Sequence, residues 1–193
     1  MISSDVVKEL RDKTGISVMQ CKAALEEAGG DMEKALMLLR KKGSSIADKK
    51  GDRVLASGIF QTYTHANKKV ASVVELLSET DFVSKHEDFA KLAYDIALQI
   101  AATNPEYKSR ADVPEEMMTK IKDMYVAEVA GKPENLKETI LSGKIDAYLK
   151  NIVLLEQLYI KDDSLTVKQL IDNAVQKFGE RIEIGDYKRF STK

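Results

Sequence analysis

Along the first forty residues, apolar positions recur at helical spacing in three short bursts, each followed by glycine. Val6, Val7 and Leu10 form the first, which opens at Ser4 or Asp5 and halts at Thr14-Gly15. Val18, Cys21, Ala24, Leu25 and Ala28 form the second; Ser17 and Gln20 have the spacing of a capping box, and Gly29-Gly30 supplies the stop. Met32, Ala35, Leu36 and Leu39 form the third. Asp31 opens it, Lys41 and Lys42 suit the negative end of the helix dipole, and Gly43 is suited to the left-handed closing conformation. Helices this short are marginal alone, because nucleation costs more than a few turns return. The pattern therefore predicts one three-helix bundle over residues 1–43.

Residues 44–53 are polar and lysine-bearing, with too little apolar surface to join either neighbour's core, and read as a linker. Beyond them, over residues 54–193, the pattern becomes mixed. Ile59-Phe60-Gln61-Thr62-Tyr63-Thr64 and the run from Val70 to Leu77 are rich in aromatic and β-branched residues, with Ala66-Asn67-Lys68-Lys69 suited to a hairpin turn. From Ser84, with Glu87 at capping-box spacing, Phe89, Leu92, Ala93, Ile96 and Ile100 predict an amphipathic helix that stops at Asn104-Pro105 and covers one face of the hairpin. Met118, Ile121, Tyr125 and Val129 predict another, begun at Val113-Pro114 and run to Gly131. Pro133 begins a further stretch through Leu136 and Ile140, and a separate short helix after Ser142-Gly143 carries Ile145, Tyr148 and Leu149. Val153-Leu154-Leu155 and Leu158-Tyr159-Ile160 read as irregular or extended. Thr166 with Gln169 opens the last helix, Gly179 closes it, and Arg181-Ile182-Glu183-Ile184 alternates like a strand that continues past Gly185 to Phe190. The expected class is α+β: an N-terminal helical bundle, then an antiparallel sheet packed against helices.

Charge changes the picture mainly by exclusion. The 193 residues carry 30 basic and 31 acidic side chains, a net charge of −1, which offers no broad grip on nucleic acid or on an anionic membrane. At 44 % hydrophobic content the chain has enough apolar material for a core, yet no run approaches the roughly 20 apolar residues that span a bilayer. The opening Met1-Ile2-Ser3-Ser4-Asp5 lacks the features of a signal peptide, so the expected location is the cytoplasm. Cys21 is the single cysteine, which excludes an internal disulfide, and with only His65 and His86 a conventional zinc site is not expected.

The inventory of reactive groups is thin. Gly131-Lys132 and Gly143-Lys144 lack the other elements of a phosphate-binding loop, so direct nucleotide binding is not expected. No serine or cysteine has a recognisable elbow or a base nearby in sequence, and no catalytic constellation emerges. His65 and His86 read as ordinary solvated or hydrogen-bonded side chains. The segment from Leu77 to Val83 stands out, because it places Phe82 beside Asp81 at a strand-to-helix junction that belongs on the surface. Two readings are open: Phe82 folds inward as a staple before the Ser84 cap, near Asp88 or Phe89, or it stands out as an aromatic anchor for a partner with Asp81 as a directional acceptor. On pattern alone Met19 belongs to the core.

Thr80-Asp81-Phe82-Val83 resembles the signature of the elongation factor Ts family. Leu10-Arg11-Asp12-Lys13-Thr14-Gly15, Met19-Gln20-Cys21-Lys22-Ala23-Ala24-Leu25 and Gly30-Asp31-Met32-Glu33-Lys34-Ala35 are similar to that family's opening domain. Gly131-Lys132-Pro133-Glu134, Gly143-Lys144-Ile145 and Val153-Leu154-Leu155-Glu156-Gln157 follow in the family's order. The resemblance implies a UBA-like head (the fold of ubiquitin-associated domains), no enzymatic activity, no cofactor, and release of GDP from the GTPase elongation factor Tu during translation. It implies that Asp81 and Phe82, shaped by Thr80 and Val83, intrude at the partner's nucleotide domain and displace its magnesium ion. It further implies that Val18, Met19 and Lys22 touch the partner from the head, Val18 standing where relatives can carry the larger Met. The length matches the short form with one core subdomain. Short forms are expected to pair as non-covalent homodimers, here through the C-terminal body around residues 182–190, giving a Tu2Ts2 assembly. Two other classes remain against it: an adaptor whose head binds a different protein, and a hydrolase using His86 with Asp81.

Overall fold

In the computed structural model, which describes residues 2–131 and 133–192, polar side chains open each helix of the head. Ser3 Oγ accepts the Val6 N–H at 3.4 Å and starts α1 (Ser4–Thr14), which Gly15 closes at φ 67°. Ser17 starts α2 (Val18–Glu27), and Asp31 accepts the Lys34 N–H at 3.1 Å to start α3 (Met32–Lys49). Leu10, Ile16, Cys21, Leu25, Ala35 and Leu39 meet between the three helices as one buried cluster. The capping box expected at Ser17 and Gln20 is half formed. Ser17 Oγ accepts the Gln20 N–H, but the Gln20 side chain instead accepts a hydrogen bond from Gln176 at 2.8 Å, across to the body.

The helix expected to stop at Gly43 runs on to Lys49. Gly43 is buried against the body's helix α8 (Val167–Phe178), where a Cβ would lie 3.2 Å from the Asp172 carbonyl oxygen and 3.2 Å from Gln176 Oε1. It permits close helix–helix approach instead of a left-handed turn. Ser44 Oγ donates to Asp172 Oδ2 at 2.6 Å, Lys168 pairs with the same carboxylate at 2.9 Å, and Ile46 and Ala47 pack against the body's core. The polar-looking segment is thus helical because a second surface covers its few apolar positions. The connection from α3 to the first strand shortens to residues 50–56.

The body forms on a three-stranded antiparallel sheet. Strands β1 (Ser57–Thr64) and β2 (Val70–Ser78) make the expected hairpin, with Ile59 opposite Leu76. Strand β5 (Ile182–Ser191) pairs on the other side of β2, with a bulge at residues 185–186 opposite Glu75. Val74, Leu76, Ile182 and Ile184 point to one face and are buried with Phe89, Ala93, Ile96 and Ile100 of α5 (Glu87–Thr103) and with Val167, Ile171 and Val175 of α8. Thr166 and Gln169 form the full reciprocal capping box, and Gly179 closes α8 at φ 73°. Asn104, in the left-handed region at φ 49°, ends α5 where the sequence places its stop.

The start of α5 differs from expectation. Ser84 is not its cap; it is the buried last residue of a one-turn helix, α4 (Asp81–Ser84), and its hydroxyl bonds Ser57 at 2.8 Å and the Asp81 carbonyl at 3.3 Å. His86 takes the capping role, its Nδ1 accepting the Asp88 N–H at 3.1 Å. Between α5 and α8, α6 (Glu115–Val129) and α7 (Glu134–Ile152) fold back on each other around Ile121, Leu149 and Val153. No break occurs at Ser142-Gly143. A Cβ on Gly143 would meet nothing within 4 Å, so this glycine weakens an exposed helical position by about 1 kcal/mol without ending the helix. A short ribbon of β3 (Leu158–Tyr159) and β4 (Asp162–Thr166) leads into α8. Lys132, in one of the two Gly-Lys pairs, lies outside the described residues. No helix among the described residues is long and apolar enough to cross a membrane.

Candidate partner-binding surface

The segment singled out by its chemistry forms a tip at the end of β2. Four consecutive residues divide sharply by direction: Asp81 and Phe82 face solvent, while Val83 and Ser84 are buried. Val83 joins the cluster that contains Phe89, whereas Phe82 is 79 % exposed. The staple reading is therefore overturned. Val83 supplies the inward contact, and the larger aromatic is left in water on a segment anchored on both sides. Singly exposed apolar residues are common. Here the exposed residue is a phenylalanine with a carboxylate beside it, on a tip whose backbone is fixed. The Asp81 carboxylate is held by Lys85 at 2.6 Å, and that hydrogen bond keeps its carboxyl below the usual range.

The base of the tip is built from distant parts of the chain. Ser78 Oγ donates to the Thr80 carbonyl at 2.9 Å. The Glu79 carboxylate accepts the Arg181 N–H and pairs with the Arg53 guanidinium at 3.0 Å. Thr80 donates twice to Glu180, from its N–H at 3.0 Å and from its hydroxyl at 2.6 Å. Glu79, Glu180, Arg53 and Arg181 escaped sequence reasoning because the contacts span from 26 to 102 positions. Only Glu79, adjacent to the motif, carried any local signal.

Partial burial pushes the Glu79 carboxyl up, but the Arg181 N–H and the Arg53 guanidinium outweigh it and hold it below its ordinary value. A lowered native value means the stabilisation is present above the unfolded value, about 4.3, and is lost as pH falls through the native one. Glu79→Gln is expected to flatten the acid side of a melting-temperature profile below about pH 4, leaving the neutral side nearly parallel to that of the wild type. Thermal melts from about pH 3 to about pH 7 check this.

On the head, Val18 is 46 % exposed and Met19 76 %, and Lys22 is solvent-facing with a long pairing to Glu26 at 3.8 Å. Met19 is thus not a core residue. The buried stripe of α2 is Cys21, Ala24 and Leu25, and Met19 lies off it, sharing its face with Lys22 three positions on. The structure brings Val18, Met19 and Lys22 together as one small surface. The dyad imagined for a hydrolase does not form: His86 Nδ1 is engaged by the Asp88 N–H and Asp81 by Lys85. A cleft of about 670 Å³ between head and body also contains charged residues, but Asp88 is paired with Lys177 at 2.7 Å, and Arg40 donates to Ser164.

Residues 4–192 match the family model described as Elongation factor TS. The chain is 46 % identical over 189 residues to Elongation factor Ts of Thermotoga petrophila, an alignment covering 98 % of this chain and 95 % of that one. It is 45 % identical over 192 residues to Elongation factor Ts of Carboxydothermus hydrogenoformans, covering 98 % and 88 % of the two chains. For the protein of the same name from Maridesulfovibrio salexigens the identity is 44 %, with 98 % and 93 % covered.

Proposed function

The chain belongs to the elongation factor Ts family, and from that premise we propose that it is a non-enzymatic guanine nucleotide exchange factor that releases GDP from elongation factor Tu during translation elongation. The observation that carries the reading is Phe82, 79 % exposed on a braced tip beside Asp81, within the family-like run Thr80-Asp81-Phe82-Val83. Such a factor works in the cytoplasm, on a protein partner, without a cofactor and without direct contact to nucleic acid or membrane.

A GTPase holds GDP through backbone N–H donors around the phosphates and a magnesium ion bridging the β-phosphate to protein oxygens. Losing the ion leaves the phosphate charge undercompensated. When Phe82 wedges between elements that border that site, burial of its ring supplies roughly 1.5–3 kcal/mol toward a conformation in which the magnesium site is spoiled. Asp81 gives the approach its direction, Thr80 and Val83 shape the tip, and Val18, Met19 and Lys22 hold the partner from the head. Coupling is reciprocal: whatever the factor removes from GDP affinity, GDP removes from the factor's affinity, so incoming nucleotide displaces the factor and completes exchange. No bond is made or broken by this chain; the rate effect is a population shift in the partner.

The homodimer belongs to the same proposal. Ile182 and Ile184 are buried inward, so the surface available around β5 is the outer face of the sheet. There Phe60 is 72 % and Phe190 62 % exposed, with Val73 and Leu77 half-buried beside them. A second copy packing on this face covers those side chains and doubles the tip, giving the Tu2Ts2 assembly.

Light scattering on a sizing column tests both parts. With nucleotide-free elongation factor Tu, a stable complex with the mass of two of each chain is expected, dissolved by excess GDP and magnesium. Phe60→Asp is expected to reduce it to one of each. A complex indifferent to GDP, or none at all, favours an adaptor with another partner.

A further inference from the structure

Thr80 occupies the capping position of a helix only four residues long, yet its side chain makes no capping hydrogen bond. Both of its donors are directed instead to Glu180, which lies 100 positions further along the chain. Glu180 reaches Thr80 because Gly179, in the left-handed conformation that closes α8, turns the chain directly into β5. The same turn is fastened on other sides. The Gly179 carbonyl accepts Lys50 Nζ at 2.6 Å, the Arg181 N–H is bound by Glu79, and the Arg181 guanidinium donates to the Arg53 carbonyl and pairs with Glu183 at 2.7 Å. Three segments therefore meet under the tip: its own base at Glu79 and Thr80, the turn from α8 to β5, and the connection from the head.

A single helical turn has no stability of its own, because its nucleation cost is not recovered by propagation. The orientation of Phe82 must come from what grips the two ends of α4. At the C-terminal end the grip is burial of Val83 and Ser84. At the N-terminal end the Thr80 carbonyl accepts Ser78 Oγ, and both Thr80 donors are held by charge-assisted hydrogen bonds to Glu180. We propose that Glu180 is a positioning residue for nucleotide exchange: by holding Thr80 at two atoms it sets the direction in which Phe82 leaves the body. The inference rests on the reading of Phe82 as the intruding side chain. Glu180 itself touches neither nucleotide nor the reacting site; it acts through Thr80.

Without this grip the tip pivots about its Val83 anchor, while the head surface at Val18, Met19 and Lys22 is untouched. Binding is then largely kept and the productive geometry within the complex is lost. The test is release of a fluorescent GDP analogue from elongation factor Tu, titrated with the wild-type chain, Glu180→Ala, Glu180→Gln and Phe82→Ala. Glu180→Ala is expected to lower the maximal release rate by about tenfold, with the half-saturating concentration changed by less than about threefold. Glu180→Gln keeps an acceptor for the Thr80 N–H and is expected to fall between Glu180→Ala and the wild type. Thr80→Val, which removes only the hydroxyl bond, is expected to lower the maximal rate in the same sense, and it decides the matter should Glu180→Ala not fold. A wild-type maximal rate in Glu180→Ala, or in Thr80→Val in its place, alongside a defective Phe82→Ala, overturns the positioning role and leaves the tip reading intact. So does a loss confined to the half-saturating concentration. Full activity in Phe82→Ala overturns the tip reading, and the positioning role with it.

Discussion

Phe82→Ala is expected to fold and melt like the wild type while losing at least about tenfold of the nucleotide-release activity, equivalent to about 1.4 kcal/mol of lost interaction. Two facts separate the effects. The ring is 79 % exposed and belongs to none of the buried clusters, so its removal opens no cavity. The backbone that carries it is gripped through Val83, Glu79 and Thr80, none of which depends on the Phe82 ring. A solvent-facing phenylalanine on such a support contributes to folding little that alanine does not. Circular dichroism melts together with GDP-release rates check both halves.

Phe89→Ala is expected to do the reverse. Seven positions further on, this ring is fully buried among Val74, Leu76, Val83 and Ile96 and meets Phe178 edge to face at 6.3 Å between centroids. Truncation leaves a cavity where sheet, α5 and α8 converge and is expected to cost about 3–5 kcal/mol, a large part of the stability of an ordinary domain. For a chain of this size that lowers the melting temperature by roughly 10 °C. Scanning calorimetry checks the size of the shift. Because Val83 packs in the same cluster, some activity is expected to fall as well, but in step with the fraction unfolded, unlike the loss in Phe82→Ala.

The contrast between these two phenylalanines shows what was legible in the sequence. Local chemistry identified elements wherever it faced no competition. The Thr166 and Gln169 box, Asn104 at the end of α5, and the hairpin around residues 65–69 stand where their patterns place them. The failures occur where a second surface claims a residue whose local signal points elsewhere. Gly43 has the look of a stop but is the point of close approach to α8, and Ser84 has the look of a cap but is packed under β1. Gln20 leaves its box for Gln176. Gly143 sits in open solvent, where a glycine is tolerated without ending the helix.

The site divides in the same way. Thr80-Asp81-Phe82-Val83 was visible as an unusual junction, but pattern could not choose between an inward and an outward Phe82. That choice depends on Val83 packing into the core cluster and Ser84 bonding to Ser57 of β1, contacts that only the folded chain brings together. Met19 is apolar enough for a core position, but its angular position on α2 sets it off the buried stripe of Cys21, Ala24 and Leu25. The brace at Glu180 was invisible, since two carboxylate hydrogen bonds across 100 positions leave no periodic trace.

Release of a fluorescent GDP analogue from purified elongation factor Tu at saturating unlabelled GDP, with and without this chain, measures directly whether the chain drives nucleotide exchange. Strong acceleration by the wild type that is lost in Phe82→Ala is the predicted result. Release at the unassisted rate in the presence of the wild-type chain contradicts it.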